Sequence, residues 1–255
     1  MKGLRETAGI VRSLALYRAR RGHLAGLERL YRAFVGPGDV VFDVGAHVGD
    51  RIAAFRAIGC RVVALEPNAR LHRVLRLLHG RDAGVTLLKA AAGPATGRAV
   101  LRINSRNPTV STLSERFVEG AASAEGWEGQ VWDGAAEVDV VALEDVARRH
   151  GSPAFVKVDV EGFEAEALCG LLTPPPALSF EITTVARGAG LAALDRAAEL
   201  GLARYRLSLG ESHAFHTPEW VDAASMRRII EDLPAAANSG DVYALGPDFT
   251  RPPPD

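Results

Sequence analysis

The 255-residue chain is 47% hydrophobic and 24% charged, with a net charge of −1. That composition excludes a disordered chain, argues against generic polyanion binding, and leaves enough length for one α/β domain with a full core. No apolar run can span a bilayer, the arginine-rich start lacks a signal-peptide core, and Cys60 and Cys169 have no metal-ligand spacing. A cytoplasmic protein with buried, reduced thiols is therefore expected.

Residues 1–35 carry eight Lys/Arg against Glu6 and Glu28. Leu14, Leu16, Tyr17, Leu24, Leu27, Leu30, Tyr31 and Phe34 recur at helical spacing among Arg12, Arg18, Arg20, Arg21, Arg29 and Arg32. This predicts an N-terminal helical cap with a solvated basic face; contact with a membrane surface or nucleic acid is the sharper alternative. Gly36-Pro37-Gly38-Asp39 is a turn signal, after which 36–246 reads as one domain. Residues 40–44, interrupted only by Asp43, predict a strand buried on both faces. Gly45 and Gly49 remove side chains where that strand turns into a helix at about 51–58, so a ligand can lie against bare backbone beside free helix N–H groups. Asp43 places an acid where open α/β sheets hold their ligands.

The second glycine of a dinucleotide fingerprint would fall at position 47, where His47 obstructs a pyrophosphate. The second strand, 61–66, ends in Glu66, about 20 residues after the first glycine, as ribose recognition requires. A cofactor with ribose but no pyrophosphate fits, and S-adenosylmethionine is such a molecule. Pro67 to His79 predict a helix that buries Leu71, Val74, Leu75 and Leu78. Residues 85–89 predict a third strand leading to Ala90. The resulting βαβαβ pattern demands a parallel sheet with right-handed crossovers.

Residues 94–136 break the rhythm. Residues 98–104 alternate like an edge strand with which 110–113 pair, and the Gly/Ala/Ser-rich stretch 120–134 holds Trp127 and Trp132, a candidate lid. Further strands are predicted at 137–141, 154–160, 177–182, 203–209 and 241–245. Helices are predicted at 143–150, from Glu161 to the stop at Pro174-Pro175-Pro176, at 189–200 and at 218–232. A proline-rich, disordered tail is expected at 247–255.

Three blocks stand out: Phe42-Asp43-Val44-Gly45-Ala46-His47-Val48-Gly49, Ala64-Leu65-Glu66-Pro67-Asn68, and Val156-Lys157-Val158-Asp159-Val160-Glu161-Gly162-Phe163-Glu164. Together they resemble the FkbM family of S-adenosylmethionine-dependent methyltransferases over about residues 38–185. The resemblance implies a class I methyltransferase Rossmann-like fold, seven strands with the last antiparallel, and methylation of a hydroxyl on a natural product or sugar-containing acceptor. The family usually has Asn at His47 and Thr shortly after Gly49, where this chain has Asp50-Arg51. Expected cofactor contacts are Asp43 (methionine amino group), Gly45, His47, Gly49, Glu66 (ribose hydroxyls), Pro67, Asn68, Ala90 and Asp159. His47 either meets the cofactor carboxylate or caps the helix.

Asp159, Glu161 and Glu181 share the crevice beside the expected methyl. They serve there as a base with raised pKa, or hold a divalent cation such as Mg²⁺. Glu164 reads as a first-turn acid placed by the helix dipole. His213 and His216 are outside candidates for the base. No nucleic-acid partner is expected, because the Asn/Asp-Pro-Pro-aromatic loop of amino-directed enzymes is absent. An RNA methyltransferase and a non-catalytic S-adenosylmethionine-binding module remain the alternatives.

Overall fold

The computed structural model describes residues 2–19, 22–122, 124 and 126–251; the expected roles of the side chains at 16–21 fall outside it. In chain order the elements are α1 (Lys2–Ala19), α2 (His23–Arg32), β1 (Val40–Val44), α3 (Asp50–Ile58), β2 (Arg61–Leu65), α4 (Ala69–His79), β3 (Val85–Leu88), β4 (Ala91–Ala92), β5 (Gly97–Ile103), α5 (Glu115–Ala122), β6 (Gly134–Val141), α6 (Leu143–His150), β7 (Phe155–Val158), α7 (Glu164–Cys169), β8 (Ala177–Thr183), α8 (Arg187–Glu199), β9 (Arg204–Leu209), α9 (Ala223–Asp232) and β10 (Ser239–Leu245).

The apolar runs assemble one seven-stranded sheet in the order β3-β2-β1-β7-β8-β10-β9. Only β10 runs antiparallel, paired to both β8 and β9. Every residue of β1 and β7 is buried, as a parallel sheet with helices on both faces requires. The chain leaves β1 toward β2 on one side and returns as β7 on the other, so the switch point lies between β1 and β7.

One sheet face grades from apolar to charged along the strands, because alternate residues share a face. Val41 is followed on that face by Asp43, Phe155 by Lys157 and Ala177 by Ser179 then Glu181, with Asp241 opposite Glu181 in register. The apolar end receives α2. Tyr31 lies 4.2 Å from Phe55, and Phe34 stacks on Tyr243 at 5.2 Å. The second half of the N-terminal segment is thus a layer of the domain core. Phe249 packs on Phe34, and Arg251 pairs with Asp39 at 2.8 Å. Residues 247–251 of the expected disordered tail are therefore fastened by an aromatic contact and an ion pair; 252–255 lie outside the described residues.

Residues 94–136 fold as more than a loop. β5 and β6 form an antiparallel pair, β4 joins β6 in parallel, and Arg102 bridges Thr112 as the alternation implied. α5, short and interrupted by Gly120, buries Phe117 and Ala121. Several boundaries differ from expectation. α7 starts at Glu164, three residues late, because Glu161 and Gly162 adopt left-handed backbone. α9 starts at Ala223, where the Asp222 side chain accepts from the Ser225 N–H at 2.8 Å. Leu78 is 38% exposed while His79 is buried in its place. Cys60 is buried as expected, but Cys169 ends α7 on the surface.

Candidate active site

At the end of β1 the backbone bends at Gly45, whose φ is 86°. A Cβ there would stand 1.8 Å from the carbonyl oxygen of Asp159, so only glycine admits β7 this close. Gly49 serves packing instead, since a Cβ on it would meet His79 Nε2 at 2.7 Å and Leu75 Cδ2 at 2.8 Å. Between them His47 sits at φ 47°, a left-handed conformation uncommon for a residue with a Cβ. Its backbone N–H donates to Glu66 Oε2 at 2.9 Å, and the Asn68 N–H donates to Glu66 Oε1 at 2.8 Å. Burial pushes the Glu66 carboxyl up to about 8 against those two donors. Each oxygen keeps a lone pair for a further donor. The His47 ring lies 3.4 Å from the Thr109 hydroxyl, and burial lowers its pKa to about 4, which keeps the ring neutral at pH 7. The Asn68 side chain accepts from Arg70 N–H at 3.0 Å, capping α4.

The acids gather one strand over. Asp159 Oδ2 lies 2.6 Å from the buried Lys157 ammonium, which also faces Asp241 at 3.9 Å. Burial would raise the Asp159 pKa, but Lys157, Arg51 and a hydrogen bond with Glu181 outweigh it and hold Asp159 below the usual carboxylate range. Glu161 and Glu181 move the other way, driven up by burial and by the Asp159 charge. Carboxylate oxygens of Asp159, Glu161 and Glu181 all lie within 4.8 Å of one another.

Glu161 reaches this cluster from a φ of 56°, with Gly162 following at 87°. Glu164 holds the unusual turn by accepting from the Val160 N–H at 3.0 Å and the Gly162 N–H at 3.0 and 3.2 Å. The Thr112 hydroxyl donates to the Glu161 carbonyl at 2.7 Å. The Glu-Gly-x-Glu block is thus one aimed acid, one glycine for its turn and one acid that clamps the turn.

Both groups open on a cavity of about 450 Å³, a volume suited to a small molecule. Gly45, His47, Glu66, Pro67, Ala90, Asp159, Glu161 and Glu181 line it together. Asp43, Gly49 and Asn68 do not. Asp43 lies beneath the floor with Oδ2 lacking a hydrogen-bond partner, its carboxyl pushed up to about 7 by burial despite Lys157. Segment 108–113 and Trp127 supply the roof. Trp127 and Trp132 both meet Phe117 edge-on, at 5.5 and 6.1 Å. His213 and His216 stand away from the cavity wall.

Sequence reasoning missed Lys157 and Arg51. A lysine inside an otherwise apolar strand was the available signal, because such a charge is buried only with partners. Arg51 also lines the cavity, held by Asp50 at 2.5 Å and Glu211 at 3.1 Å.

Residues 43–235 match the methyltransferase FkbM domain. The chain belongs to that family. No curated protein matches the chain. Among solved structures, the FkbM chain is similar to precorrin 8W decarboxylase of Methanobacterium thermoautotrophicum (TM-score 0.46, 13% identity, covering 86% of this chain and 88% of that one). It is similar to a TehB-like SAM-dependent methyltransferase of Corynebacterium glutamicum (0.44, 11%, 87% and 87%) and to Aeropyrum pernix fibrillarin with natively bound S-adenosyl-L-methionine (0.42, 11%, 83% and 68%). At these values the fold assignment rests on the sheet order itself, which is that of a class I Rossmann-like methyltransferase.

The cofactor of this FkbM methyltransferase is S-adenosylmethionine, and the site fits it. Bare backbone at Gly45, spare lone pairs on the buried Glu66 and a cavity without a pyrophosphate cradle agree with a ribose-bearing sulfonium. No helix among the described residues is long and apolar enough to cross a membrane.

Proposed function

We propose that this FkbM methyltransferase methylates a hydroxyl oxygen on a small-molecule natural product or sugar-containing acceptor. Gly45, His47, Glu66, Pro67 and Ala90 hold the cofactor in this reading, and Asp159, Glu161 and Glu181 act on the acceptor. The observation that carries it is the three-carboxylate cluster on the cavity wall, in which only Asp159 has a buried ammonium partner.

Bound S-adenosylmethionine supplies an electrophilic methyl on sulfonium. The protein must then hold the acceptor oxygen on axis and remove its proton, since an aliphatic hydroxyl is a poor nucleophile near pH 7. Lys157 keeps Asp159 ionised and therefore weakly basic. Glu181 shares a hydrogen bond with Asp159, and Glu161, aimed by its left-handed backbone, takes the acceptor proton. Burial and the Asp159 charge make the ionised form of Glu161 a stronger base than a free carboxylate. Trp127 and the segment 108–113 limit water access.

The same three oxygens form a ligand set for Mg²⁺, but Lys157 already neutralises Asp159, so the base reading is preferred. Addition of millimolar Mg²⁺ is expected to change turnover less than about twofold; strict dependence on Mg²⁺ would reverse the preference. Free thiols at Cys60 and Cys169 support a reducing, cytoplasmic setting.

A screen of hydroxylated acceptors for S-adenosylhomocysteine release tests the proposal. Glu161→Gln is expected to lower kcat about 100-fold or more with little change in cofactor affinity. Turnover confined to amines or RNA, or cofactor binding without turnover on any acceptor, would defeat it.

A further inference from the structure

We infer that His23, Glu211 and His213 form a zinc site at the rim of the cavity, separate from the three-carboxylate cluster. His23 opens α2, while Glu211 and His213 lie in the loop that follows β9, 188 and 190 residues further along the chain. One ligand atom from each, two ring nitrogens and a carboxylate oxygen, lies within 4.8 Å of the others. Two imidazoles and one carboxylate are a donor set for zinc, harder than a thiolate site and too nitrogen-rich for Mg²⁺ or Ca²⁺.

Four features set this cluster apart from a chance meeting of side chains. His23 Nε2 lies 3.1 Å from Asp50 Oδ2. A carboxylate there fixes the tautomer that leaves Nδ1 as acceptor, the arrangement that orients metal-binding histidines. His23 Nδ1 and His213 Nε2 share a hydrogen bond of 3.0 Å, close to the roughly 3.3 Å that two nitrogens on one tetrahedral zinc would keep at bond lengths of about 2.0–2.1 Å, so zinc would take the place of the shared proton.

His213 reaches this position only through local concessions. Its own φ is 54°, and Gly26 on α2 makes room, since a Cβ there would stand 2.6 Å from His213 Cδ2. The local charges also ask for a cation. Asp50 and Glu211 share the Arg51 guanidinium, at 2.5 and 3.1 Å, so two carboxylates face one permanent cation. Glu211 uses both oxygens toward Arg51 and keeps lone pairs on each. Asp50, Arg51 and Glu211 line the cavity, so zinc would pin α2, α3 and the β9–α9 loop together at its mouth.

The test uses the full chain, stripped with a chelator and dialysed, then titrated with Zn²⁺ against a chromophoric competitor and with Co²⁺ as a visible-absorption probe. One equivalent with micromolar or tighter affinity and a tetrahedral Co²⁺ spectrum is expected. His213→Ala and, separately, Glu211→Gln should each weaken Zn²⁺ binding at least tenfold, with circular dichroism confirming the fold. The His213 variant replaces a half-buried loop residue, and Glu211→Gln preserves shape should the first fail to fold. Absence of stoichiometric Zn²⁺ binding at tens of micromolar metal, or binding unchanged in both variants, overturns the site.

Discussion

Glu66 illustrates how one carboxylate both builds and equips a site. It accepts from two backbone N–H groups, joining the turn after β1 to the turn after β2, and retains lone pairs for a sugar. Glu66→Ala is expected to weaken S-adenosylmethionine binding about 10- to 100-fold, the worth of two hydrogen bonds to a buried carboxyl. Calorimetry showing an unchanged dissociation constant would remove Glu66 from the site.

Asp43 and Glu66 also set a pH dependence. Their pKa values are raised in the fold, to about 7 and about 8 from 3.8 and 4.5, so between those limits the folded state holds protons that the unfolded chain has lost. Their stabilising contribution is complete below about pH 4 and disappears as pH rises through 7 to 8. Urea midpoints should therefore fall between pH 5 and pH 8.5, more shallowly in Asp43→Asn. A wild-type midpoint that rises with pH would contradict the assignment. The three sequence blocks nominated Glu66, Asp159 and Glu161, and the next strand end Glu181, whereas Asp50, Glu211 and Asp241 line the cavity without having been nominated. Lys157 escaped although its nearest partner, Asp159, stands two positions on; its other charged neighbours, Asp43 and Asp241, arrive only through strand pairing, 114 and 84 positions away.

Among elements, the central strands were readable because burial on both faces leaves uninterrupted apolar runs, and β10 could be placed beside β8 from the family pattern. α5 could not, since it is only eight residues long, carries Gly120 and runs into the Gly/Ala/Ser-rich stretch that reads as loop. Its consequence for the site is large. Phe117 rests against Gly162, where a Cβ would stand 2.9 Å from the Phe117 Cβ, and supports Trp127 over the cavity. Proposed as a lid, this insertion should govern the acceptor. Trp127→Ala is expected to lower kcat/KM for the acceptor about tenfold while cofactor affinity changes less. Equal losses in both would show that the insertion shapes the cofactor pocket instead.

At the scale of the whole molecule, α2 is bound into the fold by Leu27, Tyr31 and Phe34, and Phe249 closes the same aromatic cluster from the far end of the described chain. Deletion of residues 1–35 is accordingly expected to abolish the cooperative urea transition; a truncated chain that unfolds cooperatively would establish a separable cap. The contact between Gly45 and the Asp159 carbonyl has a further consequence. It ties the proposed cofactor bed to the proposed reacting acids through main chain, so neither can drift without dragging the other. Exchange of the 94–136 canopy is therefore proposed as a route to new acceptor preferences, in grafts that leave 40–50 and 155–164 untouched.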